Sequence, residues 1–177
     1  MTRQSDILIL YGSQTGNAEG MACELFEDLS LITKRHVFKK SLNEFRKEAD
    51  NTSWDEVFDR TACIFIICST TGNGDFPDNA ERFWGYIKSR KLDKEFFKGV
   101  SFAVCALGDT NYSQFCNAGK KLHKRLTELE GNCLSPLSCI DEVDDLEEQF
   151  WSWKEKICKI VKKHIERVSN NIHRPSF

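Results

Sequence analysis

Ser13, Gln14, Thr15 and Asn17 lie in the run Gly12-Ser13-Gln14-Thr15-Gly16-Asn17-Ala18, between an apolar stretch and a helical pattern. Small residues let a backbone turn sharply and aim successive N–H groups at one point. A helix N-terminus adds partial positive charge there, and the hydroxyls and amide of Ser13, Thr15 and Asn17 add donors. Such a loop is an anion site suited to phosphate. It contains no Lys or Arg, so the Walker pattern fails, and with it a nucleoside triphosphate with Mg²⁺. The G-x-G-x-x-G pattern is also missing, which argues against a dinucleotide. A phosphate monoester on neutral donors remains; taken alone, the loop also reads as an ordinary capped strand–helix turn.

Two more loops follow apolar runs. Ser69-Thr70-Thr71-Gly72-Asn73-Gly74-Asp75-Phe76-Pro77-Asp78-Asn79 carries two glycines one residue apart. That spacing suits a backbone lying against something flat, or a long turn into a helix capped by Asp78. Leu107-Gly108-Asp109-Thr110-Asn111-Tyr112-Ser113-Gln114-Phe115-Cys116-Asn117 puts two aromatic residues on irregular chain. Either ring could stack on a planar ligand or plug a gap in the packing. Together the loops suit a flat, phosphorylated ligand.

The elements that must position these loops alternate between apolar runs and helical patterns, the signature of a parallel α/β sheet. Strands are expected at 6–11, 36–42 (the weakest), 62–68, 100–107 and 132–139, and helices at 17–31, 78–90, 113–129 and 144–167. Segment 43–58 reads as part helix, part loop. Near-continuous apolar strands belong to a sheet covered on both faces. The ligand crevice of a doubly wound sheet lies beyond the carboxyl ends of its strands, where the three loops fall.

The composition suits a soluble domain: 177 residues, 40% hydrophobic, 29% charged, with a net charge of −2. No apolar run approaches the ~20 residues needed to span a bilayer, and Met1 to Asp6 carries no signal-peptide core, so a cytoplasmic location is expected. None of the eight cysteines forms a C-x-x-C pair. Those in CIFIIC and VSFAVC read as small core residues in a reducing compartment, and no metal site is expected.

SQTGNA, STTGNGDFPDN and LGDTNYSQFCN, in this order, resemble the FMN domain of the diflavin reductases. That family includes reductases for haem monooxygenases, sulfite reductase flavoprotein, a reductase for cytosolic iron–sulfur assembly, and methionine synthase reductase. STTGNGDFPD and YSQFCNAGKKLHKRL look most like the methionine synthase reductase branch. The resemblance spans about residues 5–165. It implies a flavodoxin-like domain over 5–167, a five-stranded parallel sheet in the order 2-1-3-4-5, and a tail or linker from 168 to 177. It implies that Ser13, Gln14, Thr15, Gly16, Asn17 and Ala18 hold the FMN phosphate. Ser69, Thr70, Thr71, Gly72 and Asn73 would line one face of the ring. Leu107, Gly108, Asp109, Tyr112, Phe115, Cys116 and Asn117 would cover the other face and part of the ribityl chain, with Tyr112 as the stacking ring. Glu142 would stand at the ring edge. In two places the chain departs from many relatives: Thr71 stands where they carry tyrosine, and Cys116 where several carry asparagine.

The family's route runs from NADPH through FAD to FMN and then, in single electrons, to a protein acceptor. The FAD and nicotinamide modules would have to come from further chain or from a separate protein. Six acids crowd residues 141–148, while Lys154, Lys156, Lys159, Lys162, Lys163 and Arg167 follow. A helix complementing its own dipole explains that polarity; an acidic face steering a basic redox partner is compatible with it. A unit charge about 8 Å from the ring, at an effective dielectric of ~20, opposes added negative charge by roughly 2 kcal/mol. A receiver-like domain would want acids at the end of the first strand, where this chain has Gly, Ser and Thr. An FMN quinone reductase would turn over without a partner, and nucleic acid is not an expected ligand.

Overall fold

Strand β1 (Asp6–Gly12) is buried along its whole length and is paired on both sides within a parallel sheet. The computed structural model describes residues 6–171. Helix α1 (Asn17–Ile32) leads to β2 (Val37–Ser41), which returns beside β1. Helices α2 (Leu42–Asn51) and α3 (Trp54–Arg60) lead to β3 (Thr61–Ser69), and α4 (Glu81–Ile87) to β4 (Ser101–Gly108). Helix α5 (Asn117–Glu128), short strands β5 (Asn132–Cys133) and β6 (Ser138–Asp141), and α6 (Leu146–Asn171) follow. The order is β2-β1-β3-β4-β5, with β6 also paired to β4.

The expected fifth strand is therefore two pieces on one neighbour. Between them lies Leu134-Ser135-Pro136-Leu137, and proline has no N–H to give to a ladder. Asn132 and Leu134 still donate to the carbonyls of Val100 and Phe102, at 2.8 Å each. The pairing resumes with Cys105 opposite Ser138 and Gly108 opposite Asp141.

Side-chain alternation divides the core. Leu8, Leu10, Ile64, Ile66, Phe102 and Val104 face α2, α4 and α5. Ile7, Ile9, Phe65, Ile67, Cys105 and Leu107 face α1 and α6. With both faces covered, apolar residues occupy successive interior positions of the central strands, 7–11, 62–68 and 102–107, which is why those strands read as continuous runs. Lys154 of α6 pairs with Glu24 and Asp28 of α1 at 3.3 and 3.0 Å, clamping the two helices on one face.

Several boundaries differ from the expected ones for local reasons. Segment 43–58 is two helices, each started by a serine: Ser41 forms a reciprocal capping box with Glu44, and Ser53 accepts from the Glu56 N–H. Helix α4 is shorter than 78–90, and Asp78 is not its cap. The side-chain oxygen of Asn43, in the first turn of α2, accepts from the Arg82 and Phe83 N–H groups at 3.0 and 3.1 Å. Helix α5 begins at Asn117 because Cys116 is in the left-handed region, at φ 57°. Helix α6 continues to Asn171, past the expected boundary at 168, and residues 172–177 of the expected tail lie outside the described residues, as does Ser5.

Candidate functional site

The first loop closes through bonds within itself and to the second. Gly16 is the N-cap of α1 at φ 102°, a left-handed conformation that favours glycine. Its N–H donates to Ser13 Oγ at 3.0 Å, so the loop curls over the helix start. Because α1 has no side-chain cap, the N–H groups of its first turn remain aimed outward. The Ser13 N–H donates to Asn79 Oδ1 at 2.9 Å. Gln14 exchanges two bonds with Asp78: its Nε2 donates to Oδ2 at 3.2 Å, and its Oε1 accepts from the Asp78 N–H at 3.0 Å.

The second loop is a closed backbone turn. Thr71 N–H donates to the Asp75 carbonyl at 2.9 Å, while the Thr71 carbonyl accepts from Gly74 and Asp75 at 3.0 and 2.8 Å. Gly72 and Gly74 both take positive φ, 48° and 94°. The third loop holds this turn in place. Asn117 Nδ2 donates to the Gly74 carbonyl at 2.7 Å, and Thr70 Oγ1 accepts from the Ala118 N–H at 3.2 Å. A Cβ on Gly74 would stand 2.7 Å from Cβ of Gln114.

In the third loop Asp109 starts an Asx turn: its carboxylate accepts from Asn111 N–H at 2.7 Å and its carbonyl from Tyr112 N–H at 3.1 Å. The turn displays the Tyr112 ring, which is 64% exposed. Phe115 is half-buried, with the Lys120 ammonium 5.1 Å from its ring centroid. The structure thus separates the two aromatics: Phe115 packs and Tyr112 is free to stack.

A fourth loop, after β6, joins the same rim. Glu142 N–H donates to the Gly108 carbonyl at 2.7 Å, and Asn17 Nδ2 reaches Glu142 Oε1 at 3.5 Å. Thr110 donates to Asp141 from both its hydroxyl, at 2.6 Å, and its N–H, at 3.2 Å. The Thr110 hydroxyl holds the Asp141 carboxyl below its ordinary range. The Gln149 amide brackets the Asp141 backbone, accepting from its N–H and donating to its carbonyl, each at 3.1 Å. Residue types and spacing did not single out Asn79, Asp78, Thr110, Asp141 or Gln149 as supports. Their role rests on long-range pairing, and the one cue was that each lies in or beside a loop already suspected.

The site residues expected from sequence are brought to one edge of the sheet, with three differences in how they face it. Ala18, Leu107 and Cys116 are fully buried. Their side chains belong to the interior, so a contact from them to a bound molecule would run through the backbone. None of the stretches 13–18, 69–79, 108–117 and 141–145 contains Lys or Arg, and the last three carry Asp75, Asp78, Asp109, Asp141, Glu142, Asp144 and Asp145. The donors are amides and hydroxyls within an acidic rim. Among the described residues, no group of three His, Cys, Asp or Glu side chains could hold a metal ion.

The flavodoxin family profile matches residues 9–153. The chain belongs to the flavodoxin family. Over 153 residues, 85% of this chain, it is 37% identical to the NADPH-dependent diflavin oxidoreductase 1 of Schizosaccharomyces pombe, covering 25% of that protein. Over 155 residues, 86% of this chain, it is 33% identical to the methionine synthase reductase of Caenorhabditis elegans, covering 21% of that protein. It therefore spans about a quarter or less of those relatives. In structure it resembles a cysteine-to-alanine mutant of the flavodoxin of Pseudomonas aeruginosa, with a TM-score of 0.67 at 22% identity over 89% of this chain and 99% of that one. The doubly covered parallel sheet is thus shown by its own geometry and by structural likeness. FMN is the cofactor of this family, as the motifs implied. The residues present fit it: an uncapped helix start and neutral donors for a phosphate, a positive-φ glycine turn and a free tyrosine for a flat ring.

Proposed function

We propose that this chain holds FMN across the carboxyl ends of β1, β3 and β4 and passes electrons singly to a protein acceptor. The observation that supports the reading is that the loops after β1, β3 and β4 are hydrogen-bonded to one another at one edge of the sheet, with no Lys or Arg in 13–18, 69–79 or 108–117, an uncapped α1 start and an exposed Tyr112. FMN, when bound, supplies the one-electron chemistry; the protein sets access and potential.

The residues divide the work. Ser13, Thr15 and Asn17, with the first-turn N–H groups of α1, bind the phosphate without a counter-cation. Gln14 and Ser13 brace that loop on Asp78 and Asn79. Ser69 to Asn73 line one face of the ring, and the backbone of the Gly72–Gly74 turn approaches it closely because no side chain intervenes. Tyr112 covers the other face, and Glu142 stands at the edge. The acids of the rim oppose added negative charge near the ring and so favour giving the electron away. They also attract an acceptor with a basic face, an attraction that salt screens. Electrons enter from an NADPH- and FAD-binding module, in the same polypeptide or a separate one. The reaction class is that of an NADPH-dependent oxidoreductase in the cytoplasm.

For the acceptor, the stretches STTGNGDFPD and YSQFCNAGKKLHKRL support methionine synthase. The higher identity to proteins named NADPH-dependent diflavin oxidoreductase 1 supports a second reading in another branch of the reductases, with an iron–sulfur protein as acceptor. Reduction assays offering each acceptor in turn distinguish the two.

The decisive experiment is a visible spectrum of the purified chain, followed by FMN titration of the stripped protein. Flavin bands, or saturable uptake of one FMN per chain, are expected. A chain folded by circular dichroism that stays colourless in excess FMN overturns the proposal.

A further inference from the structure

Cys116 and Cys139 lie on neighbouring pieces of chain and face one another. Cys139 is in β6, opposite Ala106 of β4. Its neighbour Ile140 packs into the α1 and α6 core, so alternation turns Cys139 to the α5 face. Ala106 faces that side too, since a Cβ on Gly119 of α5 would stand 2.2 Å from Cβ of Ala106. Cys116 caps the start of the same helix. Its Sγ lies 3.4 Å from the Ala106 carbonyl oxygen and 3.7 Å from that of Ile140, the residue after Cys139. The buried thiol therefore sits in the seam between β4 and β6, beside Cys139.

The pair is chemically unequal. Cys116 is fully buried, whereas Cys139 is only partly buried. The Cys116 thiol and the Lys120 ammonium stabilise the Cys139 thiolate and bring its pKa below the ordinary thiol range, while its thiolate neighbour and burial push Cys116 upward. The reachable sulfur is thus the nucleophilic one. Cys63, Cys68 and Cys105 are buried, with thiols raised by desolvation.

We propose that Cys116 and Cys139 form a dithiol–disulfide pair that a low-molecular-weight disulfide oxidises. The Cys139 thiolate attacks one sulfur of glutathione disulfide, forming a mixed disulfide and expelling one glutathione thiolate. Cys116, giving up its proton to solvent, attacks the Cys139 sulfur; the Cys116–Cys139 bond forms and the second glutathione leaves as a thiolate. Two protein thiols are oxidised and one glutathione disulfide is reduced to two thiols. The bridge ties the start of α5, next to the Tyr112 loop, to the strand that leads into Asp141 and Glu142. That it would couple two walls of the flavin site rests on the proposed function, but the bridge itself does not.

The test uses the purified, reduced chain, incubated with glutathione disulfide and read by intact mass and peptide mapping without added flavin. The expected product has lost two hydrogens, carries no glutathione, and maps to a Cys116–Cys139 peptide pair that dithiothreitol releases. Cys116→Ser should stop at a glutathione adduct on Cys139, and Cys139→Ser should give no bridge. A wild-type chain that keeps its reduced mass, that stops at a stable adduct, or that bridges other cysteines overturns the proposal. The wild-type mapping decides even where a variant fails to fold. Because no flavin is read, failure of the bridge and failure of FMN binding are separate results.

Discussion

Gln14 and Asp78, 64 residues apart, are joined by a pair of opposed hydrogen bonds, amide to carboxylate at 3.2 Å and backbone N–H to amide oxygen at 3.0 Å. Neither residue needs to touch a ligand for this to matter. The first loop is mostly exposed and has few apolar contacts to hold its shape, so its fit for phosphate depends on the second loop. Hydrogen bonds of this kind contribute about 0.5–1.5 kcal/mol each. Gln14→Ala is expected to raise the Kd for FMN by about threefold to tenfold, leaving the thermal midpoint of the flavin-free chain almost unchanged. Fluorescence titration of FMN against stripped protein checks this; unaltered affinity would separate Gln14 from the phosphate loop.

Gly74 and Gly85 offer a matched contrast. At Gly74 a side chain meets φ 94° and Gln114 at 2.7 Å, whereas at Gly85, inside α4, nothing stands within 4 Å of a new Cβ. Gly74→Ala is expected to destabilise by about 1–3 kcal/mol, the cost of a strained backbone position, and to lower FMN affinity by more than tenfold. Gly85→Ala should stabilise by about 0.5–1 kcal/mol through helix propensity. Chemical denaturation of both variants, with FMN binding on the same samples, checks the pair.

The sheet was legible from sequence because its central strands are buried on both faces, and continuous apolar runs such as Ile64 to Cys68 have no competing reading. The site loops were legible because glycines and small polar residues after such runs have a mechanical meaning. What escaped was pairing at a distance. Asn43 as the cap of α4 and Asn79 as the acceptor for Ser13 depend on side chains meeting across the fold, and local spacing carries no trace of that. The break at Pro136 was visible as a residue but not as two strands, since each flank still finds β4. Residue type alone did not separate Phe115 from Tyr112; the resemblance assigned stacking to Tyr112, and the structure leaves Phe115 half-buried beside Lys120 and Tyr112 exposed.

Tyr112 and Thr71 should respond in opposite directions. The turn from Thr71 to Asp75 is held by backbone groups, so the Thr71 side chain can change without undoing it. An aromatic stacking partner contributes about 0.5–1.5 kcal/mol beyond its area. Tyr112→Ala is expected to weaken FMN by about fivefold, and Thr71→Tyr to strengthen it by a similar factor. Calorimetric titration of both variants checks the sign; Thr71→Tyr that binds no better would mean that this face is closed to a second ring.

Asp141 gives the site a pH signature. The Thr110 hydroxyl favours its charged form and depresses its folded-state pKa. A depressed carboxyl contributes stability above its unfolded pKa and loses it as pH falls through the folded value. Thr110→Val should move the Asp141 titration back toward the ordinary carboxylate range, read by NMR of the side-chain carboxyl. The wild-type advantage over Thr110→Val in thermal midpoint should shrink as pH drops through the folded pKa. A wild-type Asp141 that titrates like a free carboxylate contradicts the pairing.

Gly119 and Ala106 test whether close helix–strand approach builds this edge. A Cβ on Gly119 would lie 2.2 Å from the Ala106 Cβ and 2.8 Å from its Cα, so helix α5 must retreat from β4 before Gly119→Ala can fit. Overpacking of this kind costs about 1–3 kcal/mol, which lowers the midpoint of a domain this size by roughly 2–4 °C per kcal/mol. The retreat also draws Cys116, Asn117 and Ala118 away from Gly74 and Thr70, so FMN affinity should fall with stability. Ala106→Gly removes the nearer obstacle but leaves the Cα, and a glycine within a strand carries its own cost of about 0.5–1 kcal/mol. The double variant is therefore expected to recover part of the loss and to be more stable than the sum of the single effects. Simple additivity in a denaturant series would show that α5 accommodates the added methyl of Gly119→Ala elsewhere and that this contact does not set the spacing of the site.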